Sequence, residues 1–323
     1  MYKENFQLII PMAGFGERFK KIGFSLPKSL IKIKNRPLIS YIDSQFGIPK
    51  NKIFICNSEH LNNKTFQMKL LINEFVPEAL IASINPHKLG PVYSLICAEN
   101  YIHDDIPVII SYCDCLSIFD IQSFMNEISE NDIDGIVFTY EGFHPNKIRS
   151  MQHAYIKEKN GYIINVKEKK PFTNDPYSEK ASSGVYYFRS GKMLKELCRN
   201  AYKNNTSTNG EFFVSMLFKE LIRNRKKIKS FNIDQFVNWG TPEDFLDYLE
   251  SIKLYVLEES YVEFEQTEYL DNFSNFKDVE TLKKRLESFK YYNQSNLNRE
   301  TSQKISDYWK TCSKKIHALK KNS

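Results

Sequence analysis

Three short stretches of this chain carry residue types that can manage phosphate chemistry. The first is Pro11-Met12-Ala13-Gly14-Phe15-Gly16-Glu17-Arg18-Phe19, with Pro27-Lys28-Ser29-Leu30-Ile31 soon after it. Small residues let backbone N–H groups approach a phosphate or a base edge with no side chain in the way, and Arg18 and Lys28 add cations for a triphosphate. The pattern is not a Walker loop, because no Gly-Lys-Ser/Thr follows at that spacing, nor a dinucleotide fingerprint, because the third glycine is absent. Read alone, the loop fits equally well with Gly14 and Gly16 turning the chain and both cations solvated. The second stretch, Ile109-Ile110-Ser111-Tyr112-Cys113-Asp114, places a carboxylate just past an apolar run. In open parallel sheets the ligand sits at that edge, and a carboxylate there can hold Mg²⁺ together with phosphate oxygens and water. Asp114 could instead cap the next helix, a role for which Asp120 competes. The third stretch is Val237-Asn238-Trp239-Gly240-Thr241-Pro242-Glu243-Asp244-Phe245.

Residues so far apart need a scaffold, and the apolar pattern supplies one. Leu8-Ile9-Ile10 reads as a buried parallel strand running into the glycine loop, Lys52 to Cys56 as a second strand, Ala79 to Ile84 as a third and Pro107 to Ser111 as a fourth. Helical spacing lies between them, from Pro37 through Phe46, around Asn63 to Phe75, and over Pro91 to Tyr101. Alternating strands and helices imply an α/β fold with a mostly parallel, covered sheet. Further strands are expected at Gly135 to Tyr140, Ala154 to Ile156, Ile163 to Glu168, Ser183 to Phe188 and Lys229 to Phe236, with helices at Lys192 to Asn200 and Glu211 to Asn224. Asn160-Gly161 marks a hairpin, so the second half of the sheet is mixed. A helix opening at Pro242 should run to about Glu258.

Composition narrows the class. Of 323 residues 41% are apolar and 26% charged, the profile of a globular chain. The longest apolar runs, Gln7 to Ala13 and Pro107 to Ile110, fall far short of the roughly 20 residues of a membrane span. Met1 to Gln7 lacks a cationic stretch leading into an apolar one, so no secretory signal is read there and a cytoplasmic location is expected. Forty-five Lys and Arg against 39 Asp and Glu leave +6, spread along the chain. That surplus helps draw in a phosphorylated substrate but lacks the clustered basic face of a nucleic-acid binder. The six cysteines are too sparse for a disulfide framework and are expected as buried, reduced thiols. Cys113 and Cys115 on an extended segment would face opposite ways, and no second pair follows, so a zinc site is not expected. The polar, nearly glycine-free segment from Glu259 to Ser323 reads as a helical appendage, giving a domain over 1–250 and an extension over 251–323. Its helical spacing would suit a homo-oligomer contact or a lid.

Taken together, these motifs resemble the sugar-phosphate nucleotidyltransferases, the pyrophosphorylases that join a nucleoside triphosphate to a sugar 1-phosphate or related phosphate ester. The resemblance spans roughly residues 7 to 250. It rests on the opening loop, Pro27 to Ile31, Arg36-Pro37-Leu38-Ile39, Gly90-Pro91-Val92-Tyr93-Ser94, the strand-end Asp114, Glu168-Lys169-Lys170-Pro171, Ser182-Ser183-Gly184-Val185-Tyr186, Asn209-Gly210-Glu211 and Gly240 to Asp244. It implies a Rossmann-like three-layer sandwich of the GT-A-like nucleotidyltransferase type with a mixed, mostly parallel central sheet. It further implies that Ala13, Gly14 and Gly16 offer backbone to the nucleotide, that Arg18 and Lys28 hold its phosphates, and that Gly90 and Tyr112 border it. Asp114 would be the first metal ligand and Asn238 the second, where many relatives carry aspartate; Asn238 could instead cap the following helix. Lys170 would reach the acceptor phosphate, with Lys169 its competitor, while Gly184 and Glu211 would border the acceptor. The forms Tyr112-Cys113-Asp114 and Asn238-Trp239-Gly240 look like a subgroup associated with bacterial capsule and surface polysaccharides.

The implied reaction needs no protein nucleophile. An acceptor phosphate oxygen attacks the α-phosphorus and pyrophosphate leaves, with Mg²⁺ or Mn²⁺ and the cations Arg18, Lys28 and Lys170 neutralising charge. The partners would be a nucleoside triphosphate and a phosphorylated small-molecule acceptor, with no nucleic acid. His87, close before Gly90, could touch the nucleotide or serve the loop structurally. Two other readings remain open: a metal-dependent glycosyltransferase using a nucleotide-sugar donor, which needs Arg18 and Lys28 less, and a non-catalytic nucleotide-binding protein.

Overall fold

The computed structural model describes residues 4–256, apart from 34–35, 48, 131, 143, 145–146 and 148–152. The chain divides into two compact units, and every site residue discussed below lies in the one that ends at Phe245. The expected helical extension beyond 256 falls outside the described residues.

The chain opens with β1 (Glu4–Met12), α1 (Glu17–Lys21) and the short pair β2 (Lys32–Ile33) and β3 (Arg36–Pro37), then α2 (Leu38–Ser44), β4 (Pro49–Asn57), α3 (Ser58–Asn62), α4 (Met68–Phe75) and β5 (Ala79–Ile84). After these come α5 (Pro91–Cys97), β6 (Val108–Ser111), β7 (Cys115–Ile118), α6 (Ile121–Glu130), β8 (Gly135–Tyr140), β9 (Ala154–Lys159), β10 (Tyr162–Glu168) and β11 (Lys180–Phe188). The last elements are α7 (Gly191–Lys203), α8 (Val214–Arg223), β12 (Ile228–Asn232), β13 (Gln235–Asn238) and α9 (Pro242–Val256).

The central sheet has the order β10-β9-β11-β6-β1-β4-β5, with β8 joined to β11 and β12 to β8. One half, β6-β1-β4-β5, is parallel, and β11 enters antiparallel between β6 and β9. β8 pairs antiparallel with β11 and β9 with β10, so the sheet is mixed as the Asn160-Gly161 hairpin suggested. Strand residues alternate between two buried faces. One face carries Ile9, Ile53, Ile55, Ile110 and Val137 against Val92 and Leu95 of α5, Leu194 and Leu197 of α7 and Leu217 and Phe218 of α8. On the other, Phe124 of α6 meets Phe138, Phe231 and Tyr187, with ring centroids 4.9, 5.6 and 5.7 Å away. Two helical layers over one sheet make the three-layer α/β sandwich.

Some local expectations need correction. The helix expected around Asn63 to Phe75 begins only at Met68, after Gln67 takes a left-handed φ of 47°, and a separate short helix, Ser58–Asn62, precedes it. The strand expected over Lys229 to Phe236 is also two. β12 joins the main sheet beside β8, while β13 leaves it to pair with β7, a strand absent from the sequence reading. Cys113 and Asp114 form a turn rather than an extended segment. Of the cysteines, Cys56, Cys115 and Cys198 are buried as expected, but Cys97 is exposed.

Candidate active site

The parallel strands β1 and β6 end side by side, so the loops that follow them meet at one edge of the sheet. After β1 the chain turns at Gly16, whose φ of 64° is left-handed and which caps α1. Asn57, fully buried at the end of β4, donates from its side chain to the carbonyl of Ala13 at 3.3 Å and holds this loop down. Gly14 has nothing within 4 Å of where a side chain would begin, which leaves its backbone open to a ligand. A Cβ at Gly16 would lie 3.8 Å from Lys28, so the loop and the Pro27-Lys28 motif are neighbours.

Lys28 ties the motifs together. Its ammonium pairs with Asp114 Oδ2 and donates to the carbonyl of Gly240 at 2.9 Å. The Asp114 carbonyl accepts from the Trp239 amide at 2.8 Å, and β7 and β13 run antiparallel with Cys115 opposite Asn238. Asp114 and Asn238 are thus delivered to the same end of a small ribbon. Burial opposes the charge of both members of the ion pair, but each holds the other ionised: the Asp114 pKa is lowered and the Lys28 pKa raised. The rival role for Asp114 is taken elsewhere, because Asp120 caps α6 by accepting from the Gln122 and Ser123 amides.

Asn238 is buried. Its Nδ2 donates to Asp244 Oδ2 at 2.8 Å, and its Oδ1 accepts from the Gly240 amide at 3.0 Å. The helix cap itself is Thr241, whose hydroxyl accepts from the Asp244 amide and donates to its carboxylate, a reciprocal capping pair. Cys115 Sγ lies 3.4 Å from both Asp114 Oδ1 and Asn238 Oδ1. Among the described residues no three His, Cys, Asp or Glu side chains gather into a metal cage. One carboxylate and one amide oxygen at one end of the β7–β13 ribbon nevertheless suit Mg²⁺, which takes few protein ligands and completes its shell with phosphate and water.

The second group of residues lies along β10, β11 and the entry to α8. Gly184 has a φ of 84°, and a Cβ there would come 3.2 Å from the Tyr112 ring, while the Tyr112 amide donates to the Gly184 carbonyl at 3.1 Å. Gly184 is therefore explained by its packing on Tyr112. Asn209 and Gly210, with φ of 53° and 80°, form a tight turn that closes Thr208 on Glu211. That turn presents Glu211 3.8 Å from Lys169 Nζ, which also lies 4.4 Å over the Phe213 ring. Lys169 itself takes a φ of 55° and donates its amide to the His153 carbonyl at 3.0 Å. Lys170 and Arg18 are exposed. Hence the structure gathers Lys28, Asp114, Asn238 and Gly240 in one centre and Lys169 with Glu211 in another.

Three residues near these groups are held in ways that residue type and spacing did not show. Glu168 belongs to a quoted motif, yet its carboxylate turns inward to accept from Ser215, and burial lifts its pKa to about 7. His153 is held neutral, its pKa pushed down to about 4 by burial, although Asp114 opposes that shift. The Tyr112 hydroxyl accepts from the Val214 amide at 3.4 Å, linking β6's end to α8.

A doubly covered sheet with a strand-end carboxylate, a phosphate-type loop and a half-buried lysine between them defines a nucleotide-handling α/β enzyme. The sequence from residue 8 to residue 253 matches the family described as nucleotidyl transferase, and the chain belongs to that family. It is accordingly a nucleotidyltransferase. No curated protein matches it by sequence. Among solved structures it is similar to a nucleoside-diphosphate-sugar pyrophosphorylase from Vibrio cholerae RC9, at 19% identity and a TM-score of 0.59, covering 75% of this chain and 99% of the other. The inositol-1-phosphate CTP transferase from T. maritima gives 13% identity and 0.59, covering 81% and 100%. UDP-glucose pyrophosphorylase from Acinetobacter baumanii gives 17% and 0.57, covering 80% and 100%. At these identities the likeness establishes the fold. Among the described residues no helix is long and apolar enough to cross a membrane.

Proposed function

We propose that this chain joins a nucleoside triphosphate to a sugar 1-phosphate or a related phosphate ester, releasing pyrophosphate, and that residues 1–250 form its catalytic domain. The observation that best supports this reading is the position of Lys28, which touches both the strand-end Asp114 and the Gly240 loop. A cation held there is where a triphosphate crossing from the Gly14 loop to Asp114 needs one.

In this reading Ala13, Gly14 and Gly16 give backbone donors to the nucleotide, Lys28 and Arg18 neutralise its phosphates, and Gly90 and Tyr112 border it. Asp114 and Asn238 would hold Mg²⁺, which when bound stabilises charge developing on the α-phosphate and the leaving pyrophosphate. Lys169, already turned to the Glu211 side, orients the acceptor phosphate for in-line attack, and Lys170 reaches it from the rim. No protein base is required, since a phosphate oxygen is ionised at neutral pH. The neighbours named for sugar, inositol and glucose substrates support a phosphorylated sugar or polyol as acceptor. The Tyr112-Cys113-Asp114 and Asn238-Trp239-Gly240 forms support a place in surface-polysaccharide synthesis.

The test is pyrophosphate release with Mg²⁺, offering CTP, UTP, GTP, dTTP and ATP in turn with sugar 1-phosphates, inositol phosphate, phosphocholine and glycerol phosphates. Release that requires one nucleotide and one acceptor together supports the proposal. Tight binding of a nucleotide-sugar with no release in either direction would favour glycosyl transfer instead.

A further inference from the structure

Between β5 and α5 the chain crosses residues 85–90, and this loop is pinned by a histidine. His87 Nδ1 accepts from the Leu89 amide at 3.2 Å, so that nitrogen carries no proton. The proton must then sit on Nε2, which donates to Ser94 Oγ of α5 at 3.0 Å. Ser94 is buried, and the ring of Tyr93 stands edge-on to His87 at 4.8 Å. The Leu89 carbonyl next accepts from the Phe212 amide at 2.8 Å, and the Phe212 carbonyl accepts from Val92 at 3.1 Å. Gly90, at a φ of 82°, passes so close to this segment that a Cβ would lie 2.9 Å from Phe212 backbone atoms. The backbone path is therefore fixed on both sides of Gly90, by His87 before it and by Phe212 beyond it.

We propose that His87 is a positioning residue for the nucleotide: one ring nitrogen holds the Leu89 amide and the other holds Ser94, which sets the backbone beside Gly90 in the geometry that receives the base. The inference rests on the nucleotide site proposed above. It assigns no contact between His87 and the ligand; both ring nitrogens are already committed. Protonation would break the clamp, because an Nδ1–H would face the Leu89 N–H. Burial lowers the His87 pKa, so the clamp is intact at neutral pH and is lost as pH falls below the ordinary histidine value of 6.5. The groups around the ring are Tyr93 and the Ser94 hydroxyl, while the adjacent Lys88 is drawn off to Glu17 at 2.7 Å.

The experiment is calorimetric binding of CTP, UTP, GTP, dTTP and ATP to the full chain with Mg²⁺, followed by kinetics with the nucleotide that binds. His87→Ala should weaken nucleotide binding about tenfold, through lost hydrogen bonds. It should leave kcat within about twofold and the acceptor KM unchanged, a split that a general loss of structure does not give. His87→Gln, whose amide can accept at one atom and donate at the other, should restore most of the affinity. Between pH 7 and about pH 5 the wild-type Kd should rise while that of His87→Gln stays flat. Wild-type affinity in His87→Ala, or equal loss in both variants with kcat falling in parallel, would overturn the inference. If the wild type itself binds none of the five nucleotides, the nucleotide reading has failed and this inference falls with it.

Discussion

The two halves of the candidate site are built differently. On the proposed nucleotide side, Lys28, Asp114, Trp239, Gly240, Asn238 and Asp244 are joined by bonds that cross from one motif to the next. On the proposed acceptor side, Lys169 and Glu211 stand 3.8 Å apart, with the Glu211 side chain 45% exposed. A network of short, partly buried bonds is pre-organised, whereas a long, half-solvated pair contributes little by itself and is easily rearranged. The contrast suits an enzyme whose constant chemistry lies at the α-phosphate and whose acceptor is the variable partner.

Removing the centre of the network should have the largest effect. Asp114→Ala should cut turnover by about 10²–10³-fold or more, since it takes away the charged oxygen at the sheet edge. Steady-state pyrophosphate release measures this; near-normal rates would remove Asp114 from the site. Lys28→Met should also lose turnover and should reveal a competition. With the ammonium gone, Mg²⁺ alone should raise Tm by about 2–4 °C in the variant and hardly at all in the wild type.

On the acceptor side the effects should be smaller and confined to KM. Lys169→Ala should raise the acceptor KM by about tenfold, from loss of one charge-assisted contact, and Lys170→Ala by less. The reverse ranking would return the phosphate contact to Lys170. Glu168, between the halves, should govern stability against pH. Its carboxyl is easier to ionise in the unfolded chain, near 4.5, than in the folded one, near 7. The folded state holds the extra proton in that window, so stability should fall as pH rises from 4.5 to 7. Melting curves of Glu168→Gln should lose that slope. The smallest effect belongs to Glu17→Ala, which breaks the outermost pair, Glu17 with Lys88, both more than half exposed. Its melting temperature should match that of the wild type.

The same contrast explains what could be read from the sequence. The strands Ala79–Ile84 and Gly135–Tyr140 were legible to the residue, because apolar and β-branched runs bounded by polar turns leave little choice. Asn160-Gly161 revealed its hairpin through the φ values it alone tolerates well. The β7–β13 ribbon was not legible. It pairs Cys115 with Asn238 across more than a hundred positions, and the run from Ile228 to Asn238 is broken only by Ile233-Asp234. The nucleotide-side residues stood out because glycine, lysine and aspartate are confined to a few spacings there. The left-handed φ at Lys169, next to its pairing with Glu211, is a tertiary constraint with no periodic trace. Asp244, which orients Asn238, looked like any acid in a first helical turn.

Whether one half is ready before the ligands arrive can be read from amide hydrogen exchange of the full chain alone, with nucleotide and Mg²⁺, and then with acceptor. The amides of Trp239, Gly240 and Tyr112, bonded to Asp114, Asn238 and Gly184, should be protected in the free protein and change little when nucleotide binds. Exposed residues 209–210 and Lys170 should gain protection only with acceptor. Fast exchange at Trp239 and Gly240 in the free protein, slowed only by nucleotide, would contradict a pre-assembled phosphate centre.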